Sequence, residues 1–511
     1  MRTKKHVAKR FFLSRFFLLL VLLLLELIVL FLPHYIFIKN GVYYGVATII
    51  NIIFIVYIIN SGKNPHYKLA WITLIAITPG VGSIIYLLFA DKKMPKNLRN
   101  EFVKNSIQAQ GLIKQKQEYV DNLKDIDVKQ QLNYVANNSY YPYYQNSKVT
   151  YYDLGEKLYA DLIQDIKKAR KFIFLEFFIV KDGKLLEELL DVLAKKVQQG
   201  VEVDFMYDDA GTVASEPSNF VERLKSLGIY VTVFSPLSPF LVLTARSNIR
   251  DHRKICVIDN KIAYTGGINV ADEYANVVEV FGHWKDTGVK IEGEAVSSFT
   301  VSFIQFFNVY SKRHLIYDDY MLNNSKIKSS GYVLPFSDSP ADKEAISRTV
   351  HYNIISKAKK YIYIQTPYLI IDDVIQNALC VASKNGVEVI ITVPHIPDKK
   401  TVFMVTRSNY YKLLKAGVRI FEYTPGFVHS KLCISDDKIA VEGTINMDFR
   451  SYYLNYEFGT LIALDPALEE MKKDYLDTLE KSQEITFLEV KKAPIIVRLA
   501  RAIMNVFAPL L

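Results

Sequence analysis

The sequence predicts an α/β protein of two similar halves in tandem, preceded by N-terminal transmembrane helices. Three observations carry this. The 18 residues from His252 recur from His429 with 10 identities, and His, Lys, Asp, Gly and Asn fall in register. Strand-like and helix-like segments alternate through both halves in the same order. Three apolar stretches, 11–33, 41–60 and 69–90, crowd the start of the chain.

The first two stretches have the length of a spanning helix, roughly 20 residues. The third is interrupted by Pro79-Gly80-Val81-Gly82. Charge is as uneven as hydropathy. Residues 1–100 hold 13 Lys and Arg but only Glu26 and Asp91 as acids, while the remainder is close to neutral. Basic residues before the first stretch and in the 61–68 loop place both in the cytosol by the positive-inside bias. Another basic cluster (Lys92, Lys93, Lys96, Arg99) follows the third stretch, so a full third span would leave it outside. A re-entrant or interfacial hairpin is therefore expected, with everything after it cytoplasmic. The expected setting is a multi-pass protein of the cell membrane. No small-residue cleavage site marks a signal peptide. Glu26, a carboxyl within an apolar helix, reads as a neutral or snorkelling side chain near one end of the span. A near-neutral globular part also argues against nucleic acid as a partner.

The expected organisation is a membrane region over 1–98, a linker or arm over 99–147, one half over 148–325, a second over 326–490, and an amphipathic tail over 491–511. Matched landmarks define the halves: Lys167–Glu176 resembles Ser356–Gln365, and Gly200-Val201-Glu202-Val203 mirrors Gly386-Val387-Glu388-Val389. A period this long means paired domains and not a solenoid. The tail, with Arg498 and Arg501 amid apolar residues, fits an interfacial helix or one packed on its own domain. Cys256 and Cys433 hold equivalent places in apolar strand sequence. With Cys380 they show no metal-ligand spacing, and core packing is their expected role.

Residues i and i+2 of a strand share a face, so His252 and Lys254 project together, as do His429 and Lys431. After Asp259 and Asp436 a turn and a second strand lead to Asn269 and Asn446. That return brings each amide beside its own His and Lys. If the halves face one another, two imidazoles, two ammonium groups and two amides converge. Lysine supplies fixed charge, and asparagine a donor, for the oxygens of a phosphoryl group. One imidazole can attack phosphorus while the other, protonated, donates to the leaving oxygen. No metal or cofactor is required.

The doubled His-x-Lys-x4-Asp-x6-Gly-x-x-Asn pattern resembles the signature of the phospholipase D superfamily. More narrowly, Asn248-Ile249-Arg250-Asp251-His252, His283-Trp284-Lys285-Asp286-Thr287, Gln365-Thr366-Pro367-Tyr368 and Asn446-Met447-Asp448-Phe449-Arg450-Ser451 are similar to bacterial cardiolipin synthases. Asn64-Pro65-His66-Tyr67 with Tyr86-Leu87-Leu88-Phe89-Ala90 is similar to their membrane region, although Ala90 stands where the family often has Gly. The resemblance implies two phospholipase D-like domains related by pseudo-twofold symmetry. It also implies transfer of a phosphatidyl group from one phosphatidylglycerol to another, giving cardiolipin and glycerol.

By that analogy His252 is the nucleophile and His429 the acid–base group. Lys254, Lys431, Asn269 and Asn446 hold the phosphate, with Gly267 and Thr444 grouped among the substrate-binding residues. Asp259 and Asp436 are grouped with the catalytic set, as ion-pair partners more than as acid–base groups. Asp286 and Glu457 sit where the superfamily keeps a carboxylate orienting a catalytic His; which one serves which His is open. Glu176 and Gln365, at matched strand ends, are further candidates to line the site. Arg250 either binds a lipid phosphate or solvates a loop, and segment 236–244 either dips into lipid or forms a buried loop. A phospholipase D, a transferase of another alcohol, and a membrane scaffold with a dead site are the alternatives. Phospholipid is the expected partner, and a homo-oligomer is possible.

Overall fold

The computed structural model describes residues 41–78, 81–90, 96–213, 215, 217, 219–236, 248–322, 327–341 and 344–510. The first apolar stretch, Glu26 and nearly all of segment 236–244 lie outside them.

Each half is a mixed sheet whose central strands are buried and mostly apolar, because helices cover both faces. In the first half the strands are β1 (Ser147–Tyr152), β2 (Phe172–Phe177), β3 (Glu202–Asp208), β4 (Tyr230–Phe234), β6 (Ile255–Ile258), β7 (Ile262–Gly266) and β9 (Gly288–Gly293). Short β5 (Arg250–Asp251) and β8 (His283–Lys285) lie between them. The second half has β10 (Tyr332–Asp338), β11 (Tyr361–Gln365), β13 (Glu388–Pro394), β14 (Arg419–Tyr423), β16 (Leu432–Ser435), β17 (Ile439–Gly443), β19 (Asn455–Ala463) and β20 (Ser482–Ile485). Its short strands are β12 (Leu369–Ile370), β15 (Gly426–Val428) and β18 (Met447–Asp448).

The sheet orders are β1-β9-β7-β6-β2-β3-β4 and β10-β19-β17-β16-β11-β13-β14-β20. They match strand for strand, and β20 extends only the second. The duplication read from the sequence is therefore a duplication of topology. In both, the motif strand (β6 or β16) runs antiparallel to the central strand and forms a hairpin with the next.

One hydrophobic core runs through both halves, and a second lies almost wholly within the first half. Helix α8 (Val296–Tyr310) of the first half is buried along most of its length. Its Phe299 lies 4.7 Å from Phe458 and its Phe306 lies 4.6 Å from Tyr456, both on β19. Full burial of such side chains contributes roughly 1.5–3 kcal/mol each, which fixes the halves against one another.

The second apolar stretch forms α1 (Gly41–Ile59). The third is two helices, α2 (Pro65–Ile77) and α3 (Val81–Phe89), folded back on each other. Trp71 meets Tyr86 edge to face at 5.2 Å. Gly82 lies so close that a Cβ there would fall 2.6 Å from the Cα of Ile75. Among the described residues no helix is long and apolar enough to cross a membrane. Asn64 caps α2, with Pro65 at its first position. Asn64 Nδ2 also donates to Asp372 (3.3 Å) and to the Tyr453 hydroxyl (3.1 Å), joining this bundle to the second half.

The tail helix α14 (Ile495–Val506) packs through Met504 and Asn505 beside α11 (Lys400–Ser408). It turns Ile495, Ile496, Leu499 and Ile503 outward, each more than half exposed. It is thus packed on its own domain and amphipathic at once.

Candidate active site

Backbone pairing between the halves builds the site. β5 runs parallel to β19, with Arg250 opposite Asn455 and Asp251 opposite Tyr456. β15 runs parallel to β8, with Phe427 opposite Trp284 and Val428 opposite Lys285. Each pairing stops one residue before a histidine. The amide of His252 then bonds the carbonyl of Tyr456 at 3.0 Å, and that of His429 bonds the carbonyl of Lys285 at 2.7 Å. The next residue on each partner strand is the carboxylate. His252 Nδ1 lies 3.0 Å from both oxygens of Glu457, and His429 Nδ1 lies 2.7 Å from Asp286 Oδ2. Each imidazole takes its carboxylate from the opposite half, which resolves the alternative left open by the sequence.

His252, His429, Asn269 and Asn446 line one cavity of about 400 Å³ between the halves. Asn269 Oδ1 accepts the Ile179 amide at 2.9 Å and its side chain also bonds the Tyr274 hydroxyl, which together fix the amide in the cavity wall. The lysines are buried behind the imidazoles and do not themselves line the cavity. Lys254 Nζ donates to the His252 carbonyl at 2.7 Å, and Lys431 Nζ donates to the His429 carbonyl and lies 2.9 Å from its Nδ1.

Aromatic rings close around this centre. Phe178 meets His252 edge-on at 5.2 Å, while Tyr274, Trp284 and Phe427 surround His429 at 5.2, 5.4 and 5.9 Å. Ala508 of the tail reaches the same cavity, as do Tyr368 and Arg450. None of these was singled out from the sequence for this role, apart from belonging to quoted family segments. Only Trp284, two residues from Asp286, and Phe427, two from His429, carried a local signal.

Burial dominates the electrostatics. It drives His252 down to about 4, with Glu457 opposing, and with the two lysines it drives His429 well below its ordinary value. It lowers Lys254 to about 7 and Lys431 to about 8. Burial also raises Asp286 to about 7, against the pull of Lys431. For Glu457 burial is outweighed by His252 and Lys254, so its carboxyl sits below the usual range. An ionised Glu457 only accepts hydrogen bonds, so Nδ1 of His252 carries the proton and Nε2 presents its lone pair.

Three expectations are corrected. Asp259 and Asp436 do not line the cavity with the histidines, and among the described residues neither carboxylate forms an ion pair. Both begin hairpin turns with two successive residues at positive φ (54° and 54°; 58° and 56°), as a type I′ turn requires. The Asp259 carboxylate accepts the amides of Arg170, Lys171 and Phe172 at 2.7–3.0 Å; Asp436 accepts those of Lys359, Lys360 and Tyr361 at 2.7–2.9 Å. They pin each motif hairpin to its central strand. Asp436→Ala is expected to lower unfolding stability by about 2–4 kcal/mol, since three donors lose their acceptor, while specific activity per folded molecule changes little. Denaturant melts beside active-site titration check this.

Gly267 and Thr444 do not line the cavity. They stand behind the imidazoles and support the carboxylates. A Cβ at Gly267 would fall 1.9 Å from Asp286 Oδ1. Thr444 Oγ1 donates to Glu457, which also accepts from Ser451 Oγ at 2.7 Å and Asn455 Nδ2 at 3.3 Å. Glu176 does not line the cavity either: it is buried against Arg253, whose Nε donates to it at 2.8 Å. Gln365 is likewise buried outside the cavity wall. Arg250 does line the cavity and is 3% exposed, which removes the solvated-loop alternative. The three cysteines are buried, and burial raises Cys433 to about 12. Among the described residues no cluster of His, Cys, Asp or Glu is arranged to hold a metal ion.

A family described as "Cardiolipin synthase, PLD-like domain" matches residues 162–299 and 352–478, one match per half. The chain belongs to this family. A second model, "Phospholipase_D-nuclease N-terminal", matches residues 49–90. Relatives of the family extend over nearly the whole chain. A cardiolipin synthase of Alkalihalophilus pseudofirmus is 34% identical over 471 residues, covering 90% of this chain and 92% of its own length. One of Staphylococcus aureus is 33% identical over 494 residues, covering 94% and 98%. An uncharacterised protein of Streptococcus mutans is 39% identical over 460 residues, covering 89% and 99%. In fold, the chain is similar to phosphatidylserine synthase of Haemophilus influenzae, with a TM-score of 0.57 at 16% identity over 73% of this chain and 98% of that one.

Proposed function

We infer that the chain is a membrane-associated phosphatidyltransferase that joins two phosphatidylglycerols into cardiolipin and releases glycerol. One observation carries this within its family: two histidines from different halves meet in one cavity, each anchored by the other half's carboxylate.

The chemistry follows from those positions. Nε2 of His252 attacks the phosphorus of the first phosphatidylglycerol, forming a P–N bond as the P–O bond to glycerol breaks. The departing oxygen takes a proton from His429. The second phosphatidylglycerol then gives its terminal hydroxyl proton to His429, and that oxygen displaces Nε2 of His252 from phosphorus. Lys254, Lys431, Asn269 and Asn446 hold the phosphoryl oxygens. An entering phosphodiester brings the negative charge that raises His429 and the lysines back toward their protonated forms. The rings around His429 exclude water, which favours an alcohol over hydrolysis.

The membrane setting is supported by the exposed apolar side chains of α1 (Ile49, Ile52, Ile53 and Val56), by the outward face of α14, and by the basic residues flanking the apolar stretches. Both catalytic halves would then lie on the cytoplasmic side.

The test is the full chain in vesicles with labelled phosphatidylglycerol. Cardiolipin and glycerol in equal amounts are expected; phosphatidic acid alone would overturn the reading. A pH profile gives a second check. Lys254 and Lys431 titrate near 7 and 8 in the free site and lose their charge as pH rises. The alkaline limb of kcat/KM should therefore fall between pH 7 and 8, and that of kcat should lie higher, because bound phosphate stabilises the ammonium forms.

A further inference from the structure

The same cavity is also lined by two arginines that the chemistry at His252 does not use, with Asp448 lining it beside them. Arg250 reaches it from β5, and Arg450 from the short helix α12 (Phe449–Tyr453) that leads into β19. The β5–β19 pairing that sets His252 beside Glu457 is what brings these two guanidinium groups to one wall. Arg450 Nη2 donates to the Asn248 carbonyl at 2.9 Å, and Arg250 Nη1 lies 3.5 Å from Asp208 Oδ1. Burial lowers Arg450, with Arg250 adding to it and Asp448 opposing. Asp208 and Asp448 stand near the pair, and burial raises both carboxyls, Asp208 to about 6. Arg250 is buried and Arg450 partly so, and the planar forks of two neighbouring guanidinium groups suit a phosphate.

Joining two phosphatidylglycerols brings two phosphodiester anions into one site. The first sits on the lysines. The second is tied to the attacking hydroxyl through only three carbons, so its binding place has to adjoin His252. We propose that Arg250 and Arg450 form a second phosphate subsite, which holds the acceptor phospholipid's own phosphodiester while its hydroxyl faces phosphatidyl-His252. This rests on the transferase reading. Water and free glycerol carry no phosphate, so reactions with them do not engage the subsite.

The experiment compares two rates in full-length protein in phosphatidylglycerol vesicles: cardiolipin formation, and exchange of labelled glycerol into phosphatidylglycerol, which needs only one phosphate. For Arg450→Gln, cardiolipin formation is expected to fall about tenfold or more as a bidentate contact is lost, with exchange within about threefold of the parent and phosphatidic acid rising as a share of product. Arg250→Gln should behave alike. Arg450→Lys, which keeps the charge, should retain intermediate cardiolipin formation and near-normal exchange. Parallel loss of both rates in the Gln and Lys variants, or no change in either rate, would overturn the subsite. Absence of both reactions from the parent protein would instead sink the transferase reading.

Discussion

His252→Ala is expected to abolish cardiolipin formation, by about 10⁴-fold or more, because removing a covalent nucleophile leaves only binding and charge stabilisation. Acid-quenched protein should carry phosphatidyl label on His252 in the parent and none in this variant. Label found on His429 would reverse the two roles. The surroundings distinguish them: His252 rests on an ionised Glu457 with Nε2 left as the acceptor, whereas His429 shares its Nδ1 between Asp286 and Lys431. His429→Ala should therefore still lose most turnover, since departing glycerol would leave as an unprotonated alkoxide.

Glu457→Gln is the second large effect. The amide can donate to Nδ1, which favours the wrong tautomer and moves the proton onto Nε2, where the lone pair is needed. A drop of roughly 10³–10⁴ in kcat is expected, by the reasoning that applies to any carboxylate orienting a catalytic imidazole. Crossed pairing gives a further readout. In isotope-labelled protein, Glu457→Gln should lower the pKa of His252, because an opposing negative charge has gone, and leave His429 nearly unchanged. Asp286→Asn should perturb His429 and spare His252. Same-half responses would contradict the geometry.

Much of this was legible in the sequence because it was written twice. A lone His252-x-Lys254 pair is weak evidence, but a second copy in register pointed to two like halves and to a paired site between them. The crossed orientation was not legible, since it depends on β5 meeting β19 and β8 meeting β15, pairings between segments some 140–200 positions apart. The aspartates misled for a different reason. Their place in the motif suggests chemistry, whereas Asp259-Asn260 and Asp436-Asp437 between two apolar runs are hairpin-turn signals in their own right. Gly267 and Thr444 adjoin the asparagine segment in sequence but back onto the carboxylates, a difference of facing that spacing does not encode. Tyr274, Tyr368 and Ala508 reach the cavity through tertiary packing, which leaves no periodic trace.

Because β5–β19 and β8–β15 knit the halves across their boundary, neither half owns a working imidazole–carboxylate couple. Severed, each would keep a base without its anchor and a buried acid without its base. Drift in one copy is thus answerable to the other. A change at Glu457 is felt at His252, and a change near Asp286 at His429, so the two repeats are bound to evolve as one unit however far their surfaces diverge.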